Sequence, residues 1–188
     1  MRVFIVRHGE SENNKKGLWT GQYNAPLTEK GRLDAEGART ILERISFDKV
    51  YSSDLDRAIE TARIAIPGCS YETNKLLREI DVGSLSNQPT KTLADEDIKN
   101  AIKNGYAPFG GETREEFKAR ILTFKKELEG MDFQNVAVFC HGGWLKGFLN
   151  EILEMQIPAH KICCNNCTVA VFEYENSKWK LHSWINLL

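Results

Sequence analysis

Two short apolar runs, each followed at once by a histidine and a glycine, constrain this chain more than any other feature. Residues 3–6 lead into Arg7-His8-Gly9-Glu10, and residues 136–140 lead into His141-Gly142-Gly143. Both runs are β-branched, aromatic or small, with no polar residue inside, which is the pattern of strands buried on both faces. Each histidine therefore stands where a strand stops. In open α/β sheets ligands collect beyond the carboxyl ends of the strands, so both histidines are placed where a site forms.

The rest of the chain alternates in the manner such a sheet requires. Residues 9–27 are polar and turn-rich, and Thr28 is placed to cap a helix running to about Arg44. Residues 49–51 read as a second strand. Ser53-Asp54-Leu55-Asp56 resembles a capping box opening a helix through Ala58, Ala62 and Ala65 to Ile66, stopped by Pro67-Gly68. A third strand is expected over 69–73, a loop over 80–90 and a charged helix from Lys91 to Lys103. Thr113 and Glu116 form a second capping box before Phe117, Ile121, Phe124 and Leu128, which recur at helical spacing as a core stripe. Another helix is expected from Trp144 to Met155. Two strands, 168–174 and 179–184, are joined through Asn176-Ser177 as a hairpin. The expected fold is a three-layer α/β/α domain spanning 1–188, with a mostly parallel sheet carrying an antiparallel hairpin strand.

Composition excludes several classes. The 25 basic and 26 acidic residues leave a formal charge of -1, which gives no support for a nucleic-acid or anionic-membrane surface. No run approaches a membrane span, and the opening apolar stretch is too short and wrongly flanked for a signal peptide. Five cysteines, three of them in Cys163-Cys164-Asn165-Asn166-Cys167, fit no complete disulfide framework, so a cytoplasmic setting is expected. Those three with His160 do not match a standard zinc knuckle and read as small residues before a strand; no metal or cofactor is expected.

An arginine beside a histidine at a strand end can bind an anion while the imidazole remains a nucleophile or base, although Arg7 can equally form a surface ion pair. Two glycines after His141 let backbone amides and a helix N-terminus approach an anion. Arg57, one turn into a helix, can fold its fork back over the strand ends or pair with Asp54, Asp56 or Glu60. Asn14 can donate to phosphate or cap a turn. His160 and His182 carry no surrounding motif. Trp19, Tyr23 and Tyr106 can line a pocket or anchor loops, Trp19 being favoured for a site role because it adjoins Thr20-Gly21.

Taken in order, Arg7-His8-Gly9-Glu10-Ser11-x-x-Asn14, Thr20-Gly21, Pro26-Leu27-Thr28-x-x-Gly31, Tyr51-Ser52-Ser53-Asp54-Leu55-x-Arg57-Ala58, Glu79 with Gly83, Gly110-Gly111-Glu112-Thr113 and Val138-x-x-His141-Gly142-Gly143 resemble the histidine phosphatase (phosphoglycerate-mutase-like) superfamily. The resemblance implies a metal-free phosphomonoester hydrolase in which His8 becomes phosphorylated. Arg7, Arg57 and His141 would surround the transferring group. Asn14, Thr20, Gly21 and Gly142 would contact substrate, a small phosphorylated metabolite. It also implies that Glu79 donates a proton to the leaving group, which asks for a carboxyl pKa raised toward neutrality; Asp81 is the alternative donor, and pairing with Arg78 the structural alternative for Glu79.

The sequence departs from the family where Gly83-Ser84-Leu85-Ser86-Asn87 lacks an aromatic-acidic-glycine continuation. Family mutases carry a longer insertion with tandem arginines between the positions of Glu79 and Gly110. This chain has Lys91, Lys99 and Lys103 there, no arginine, and acidic Asp81, Asp95, Glu96 and Asp97, and it ends soon after its last strand. Phosphatase is therefore expected over mutase, with a phosphate-dependent binding protein as the non-enzymatic alternative. The oligomeric state and the particular metabolite stay open.

Overall fold

In the computed structural model, which describes residues 1–92 and 95–187, the first apolar run is β1 (Arg2–Arg7), an interior strand of a six-stranded sheet. The other strands are β2 (Lys49–Ser52), β3 (Glu72–Thr73), β4 (Asn135–Cys140), β5 (Val169–Glu175) and β6 (Lys178–Ile185), in the order β3-β2-β4-β1-β5-β6. The β1, β4, β2 and β3 neighbours pair in parallel, and β5 runs antiparallel to both β1 and β6. Register sets Arg7 opposite Cys140, so the two strands end level and His8 and His141 emerge side by side. The antiparallel hairpin turns at Asn176 and Ser177, both at positive φ (50° and 59°), the backbone of a tight two-residue turn.

Helices cover both faces. Helices α2 (Glu29–Leu42) and α3 (Asp56–Ala65) lay Ala35, Ala38, Leu42, Ala62 and Ala65 on Phe4, Val6, Ala137 and Phe139. On the other face α5 (Arg114–Glu129) and α6 (Gly142–Ile152) pack Phe117, Ile121, Phe124, Trp144 and Phe148 on Val3, Ile5, Val138 and Phe172. The three-layer mixed sheet is thus as expected from the alternation.

Local chemistry shifted several boundaries. The loop expected over 9–27 contains a short helix, α1 (Glu12–Lys16), capped by Ser11 with Asn14 answering from the third helical position and closed by Gly17 at φ 65°. Ser53 does not cap α3. That helix starts at Asp56, two residues later than a Ser53 cap would place it, with Leu55 as a cap that makes no side-chain bond, because Ser53 is buried and bonded to His141. The third strand shrinks to Glu72–Thr73, and α6 begins at Gly142 and stops at Ile152, where Asn150 bonds Ile157 and Glu154 takes φ 51°. Helix α4 (Asp95–Asn104) and a 3-10 turn at Thr90–Thr92 stand where one charged helix was expected; positions 93 and 94 of it lie outside the described residues.

The expected box at Thr113 is present: its hydroxyl accepts from the Glu116 amide at 3.1 Å and Glu116 accepts from the Thr113 amide at 2.9 Å. Thr113→Ala is expected to lower stability by about 1 kcal/mol, read as a shift of the urea midpoint at unchanged slope. An unmoved midpoint would count against the cap. Among the described residues no helix is long and apolar enough to cross a membrane.

Candidate active site

The site is built from the ends of β1 and β4, the start of α3 and the segment after it. His8 and His141 are 4% and 0% exposed, with ring centroids 5.1 Å apart. His8 Nδ1 lies 2.7 Å from the Gly9 carbonyl, which can only accept, so Nδ1 carries the proton and Nε2 keeps its lone pair. Arg57 donates to that Nε2 from its own Nε at 3.2 Å. Burial, then the charges of Arg57 and Arg7, hold the His8 pKa well below 6.5, while the Gly9 bond opposes the shift. The imidazole is therefore neutral at pH 7.

His141 Nε2 lies 2.9 Å from Ser53 Oγ. The Ser53 hydroxyl accepts from the Leu55 amide at 3.4 Å and can give its own proton to His141 Nε2, the arrangement that leaves the imidazole proton on Nδ1. That Nδ1 and Arg7 Nε are both buried without a partner in the protein. Burial again leads the causes that keep the His141 pKa well below 6.5, with Arg57, His8, Arg7 and Arg120 adding to it. Arg7 donates from its guanidinium to the Cys164 carbonyl and passes Gly142, where a Cβ would stand 3.1 Å from Arg7 Nε. The start of α6 therefore lies against the Arg7 guanidinium, with the positive end of its helix dipole at the same place.

Arg57 is fully buried and makes none of the expected alternative ion pairs: Asp54 binds Arg78, Asp56 binds Asn24 and Glu60 binds Arg32. Its Nη atoms instead reach the carbonyls of Gly21 and Tyr23, each at 2.8 Å. Desolvation brings its pKa down to about 10, against the pull of Glu79, and it remains a cation. Gly21 thus touches Arg57 through its carbonyl, at φ 48° and with Val82 2.7 Å from where a Cβ would stand, so glycine is required there. Thr20 lies in the same loop, its carbonyl accepting from the Tyr23 amide.

Glu79 closes the other side. Its Oε2 accepts from the Gly143 amide at 2.8 Å and its Oε1 from the Ile80 amide at 3.0 Å. A Cβ on Gly143 would stand 2.4 Å from Oε1, so the second glycine of His141-Gly142-Gly143 makes room for this carboxylate rather than for a ligand. Arg78 pairs with Asp54 and Gln22, not with Glu79, and the Asp81 carboxylate accepts from the Gly83 amide. Asn14 uses its carbonyl oxygen on the Ser11 amide and on Asn166, while Asn166 also donates to the His8 carbonyl at 3.1 Å. Trp19 packs edge-on against Tyr106 at 5.8 Å.

Sequence reasoning missed Asn166, Ser53 and Arg120. Segment 163–168, read as small residues before a strand, is a wall of the site: it holds Arg7 through Cys164, His8 through Asn166 and Cys167, and the Arg7 amide through Thr168. Among the described residues no group of three or more His, Cys, Asp or Glu could hold a metal ion, the Cys163–Cys167 stretch included.

Two imidazoles and two arginines converge at the ends of parallel strands, and the chain belongs to the histidine phosphatase superfamily (branch 1), whose profile matches residues 3–187. The adenosylcobalamin/alpha-ribazole phosphatase of Salmonella typhimurium is 33% identical over 163 residues, covering 82% of this chain and 81% of that protein. The crystal structure of the alpha-ribazole phosphatase from Shigella flexneri superposes with a TM-score of 0.87 at 26% identity, covering 98% of this chain and 96% of the other. That of a phosphoglycerate mutase from Thermus thermophilus gives 0.79 at 28% identity, covering 100% and 99%.

Proposed function

We propose that this protein hydrolyses small phosphomonoesters through a phosphohistidine at His8, in one domain spanning 1–188 and without a metal. The observation that carries the reading is the His8 Nε2 lone pair, with the ring held neutral by burial and by the charges of Arg57 and Arg7, its proton placed on Nδ1 by the Gly9 bond, and Nε2 facing Arg57 and His141. In the first step Nε2 attacks phosphorus, the ester P–O bond breaks, and protonated Glu79 gives its proton to the departing alkoxide. In the second, water attacks phosphorus, passes a proton to the Glu79 carboxylate, and the N–P bond breaks to release phosphate and neutral His8.

Charge spreads over the equatorial oxygens in both steps. Arg7 Nε and His141 Nδ1, two buried nitrogens without protein partners, supply hydrogen bonds there, and the N-terminus of α6 adds its positive end. Arg57 hands its Nε–H from His8 to a phosphoryl oxygen once Nε2 is bonded. With two cations and two oriented imidazoles supplied by the chain, no step calls for a metal. Asn14, Thr20, Gly21 and Gly142 are the substrate-facing set in this reading, Gly21 acting through Arg57. Five free thiols support a reducing, cytoplasmic setting.

The phosphatase reading is preferred over the mutase one because segment 79–110 contains no arginine to clamp a second anionic group. Relatives of both names share the fold, so the test is chemical. Incubation with a labelled phosphomonoester followed by denaturation is expected to trap an acid-labile, base-stable phosphoryl adduct on the peptide containing residue 8. EDTA is expected to leave turnover unchanged. An unlabelled protein that turns over, or inactivation by chelation, would remove this mechanism. With 3-phosphoglycerate and a trace of bisphosphoglycerate, phosphate release is expected to exceed isomerisation.

A further inference from the structure

Glu79 lies outside regular secondary structure, two residues beyond a single 3-10 turn, Lys75–Leu77, where no helix or strand fixes its carboxylate. We propose that Arg120, clasped by Glu112, is the positioning residue that holds Glu79 for proton transfer to the leaving group. The proposal rests on the phosphohistidine reading above.

A guanidinium has five N–H groups, and Arg120 uses them on five acceptors. Its Nε donates to Glu112 Oε1 at 2.8 Å, and one Nη donates to Glu112 Oε2 at 2.9 Å and to the Glu79 carbonyl at 3.2 Å. The other Nη donates to the carbonyls of Leu76 and Arg78 at 2.8 and 2.9 Å. Three of the four carbonyls from Leu76 to Glu79 are thereby gathered around one planar cation. Glu112 extends the clasp, accepting from the Asp81 amide at 3.2 Å while its own amide donates to the Asp81 carbonyl at 2.9 Å.

Both side chains are largely buried, 16% and 13% exposed, and the guanidinium lies over the Phe117 ring at 5.0 Å. Removing such a pair from water is costly, and apolar packing stabilises a core as well or better. What the pair adds is geometry: Arg120 fixes the backbone of the Glu79 segment from α5, while Gly143 fixes its carboxylate from α6. Trp144, the next residue, donates to the Leu76 carbonyl at 2.8 Å, so both helices meet on this one segment. A lysine keeps the charge and cannot span three carbonyls and a carboxylate at once.

A staple that served the fold alone would affect all substrates equally, whereas misplacing a proton donor matters only when the leaving group needs a proton. The test is kcat/KM for glycerol 2-phosphate, an alkyl ester, against 2,4-dinitrophenyl phosphate, whose phenolate departs unprotonated. Wild type, Arg120→Lys, Arg120→Gln, Glu112→Gln and Glu79→Gln are compared. The ratio of the two substrates within one protein cancels any loss of folded material. Arg120→Lys and Arg120→Gln are expected to lose about 100-fold on the alkyl ester and less than roughly threefold on the aryl one, moving the ratio as Glu79→Gln does. Glu112→Gln is expected to fall between them and wild type. Equal losses on both esters, or no loss, would overturn the positioning role while leaving the phosphohistidine reading intact. A Glu79→Gln protein with an unchanged ratio would show that Glu79 is not the donor, and both would fall together.

Discussion

His8→Ala is expected to reduce kcat on any phosphomonoester by about 10⁴-fold or more, the scale on which enzymes lose activity when a covalent nucleophile is deleted. His141 cannot take its place, because its Nε2 is bonded to Ser53, and Arg7 and Arg57 are cations. Affinity for inorganic phosphate should survive the change, because Arg7, Arg57 and His141 keep their own supports on Cys164, on Gly21 and Tyr23, and on Ser53. Activity lost with phosphate binding retained is therefore the signature. A loss of under tenfold in kcat would mean that water attacks phosphorus directly and that His8 is only a ligand.

The same geometry explains what sequence reading can reach. Strand ends at His8 and His141 were legible because a buried parallel strand is written as an uninterrupted apolar run, and polarity returns abruptly where it stops. The Thr113 box was legible because both its partners lie within one turn of each other. Ser53 was misread by the same logic: serine three residues before a helical pattern looks like a cap, and only the arrival of His141, 88 residues later in the chain, redirects its hydroxyl. Gly142 and Gly143 were recognised as close-approach positions, but the thing approaching is Arg7 in one case and Glu79 in the other. Arg120 and Asn166 carry no local signal, since their acceptors are backbone carbonyls 41 to 44 and 158 residues away. Motif residues at the strand ends are visible in a sequence; the residues that hold them by main-chain bonds become visible only in the fold.

Acidification should destabilise the phosphate-free protein above the range in which carboxylates titrate. His8 and His141 are buried neutral, each with a pKa pushed well below 6.5, chiefly by desolvation and then by Arg57 and Arg7, with Arg120 also facing His141 and Glu79 as the nearby acid. In the unfolded chain both histidines take up a proton near 6.5, whereas in the folded protein they stay neutral to lower pH. Between those limits the unfolded state binds up to two more protons, so stability is full above 6.5 and is lost as pH falls, at up to roughly 3 kcal/mol per pH unit for the pair. That slope is large against a total of about 5–15 kcal/mol. Asp48, Asp54, Glu116 and Glu129 also have lowered values, but from ordinary ones of 3.8 and 4.5, so their contributions vanish at lower pH and the interval from 6.5 to 5 reports the histidines. Urea midpoints taken across that interval are expected to fall steeply, with a slope roughly halved in His8→Asn. Millimolar phosphate should flatten the curve, because an anion bound only by the folded state stabilises it and favours protonated imidazoles beside it. A midpoint constant from pH 7 to 5, or the same slope in His8→Asn, would mean that the buried imidazoles titrate as they do in water. The neutral His8 on which nucleophilic attack depends would then lack its physical cause.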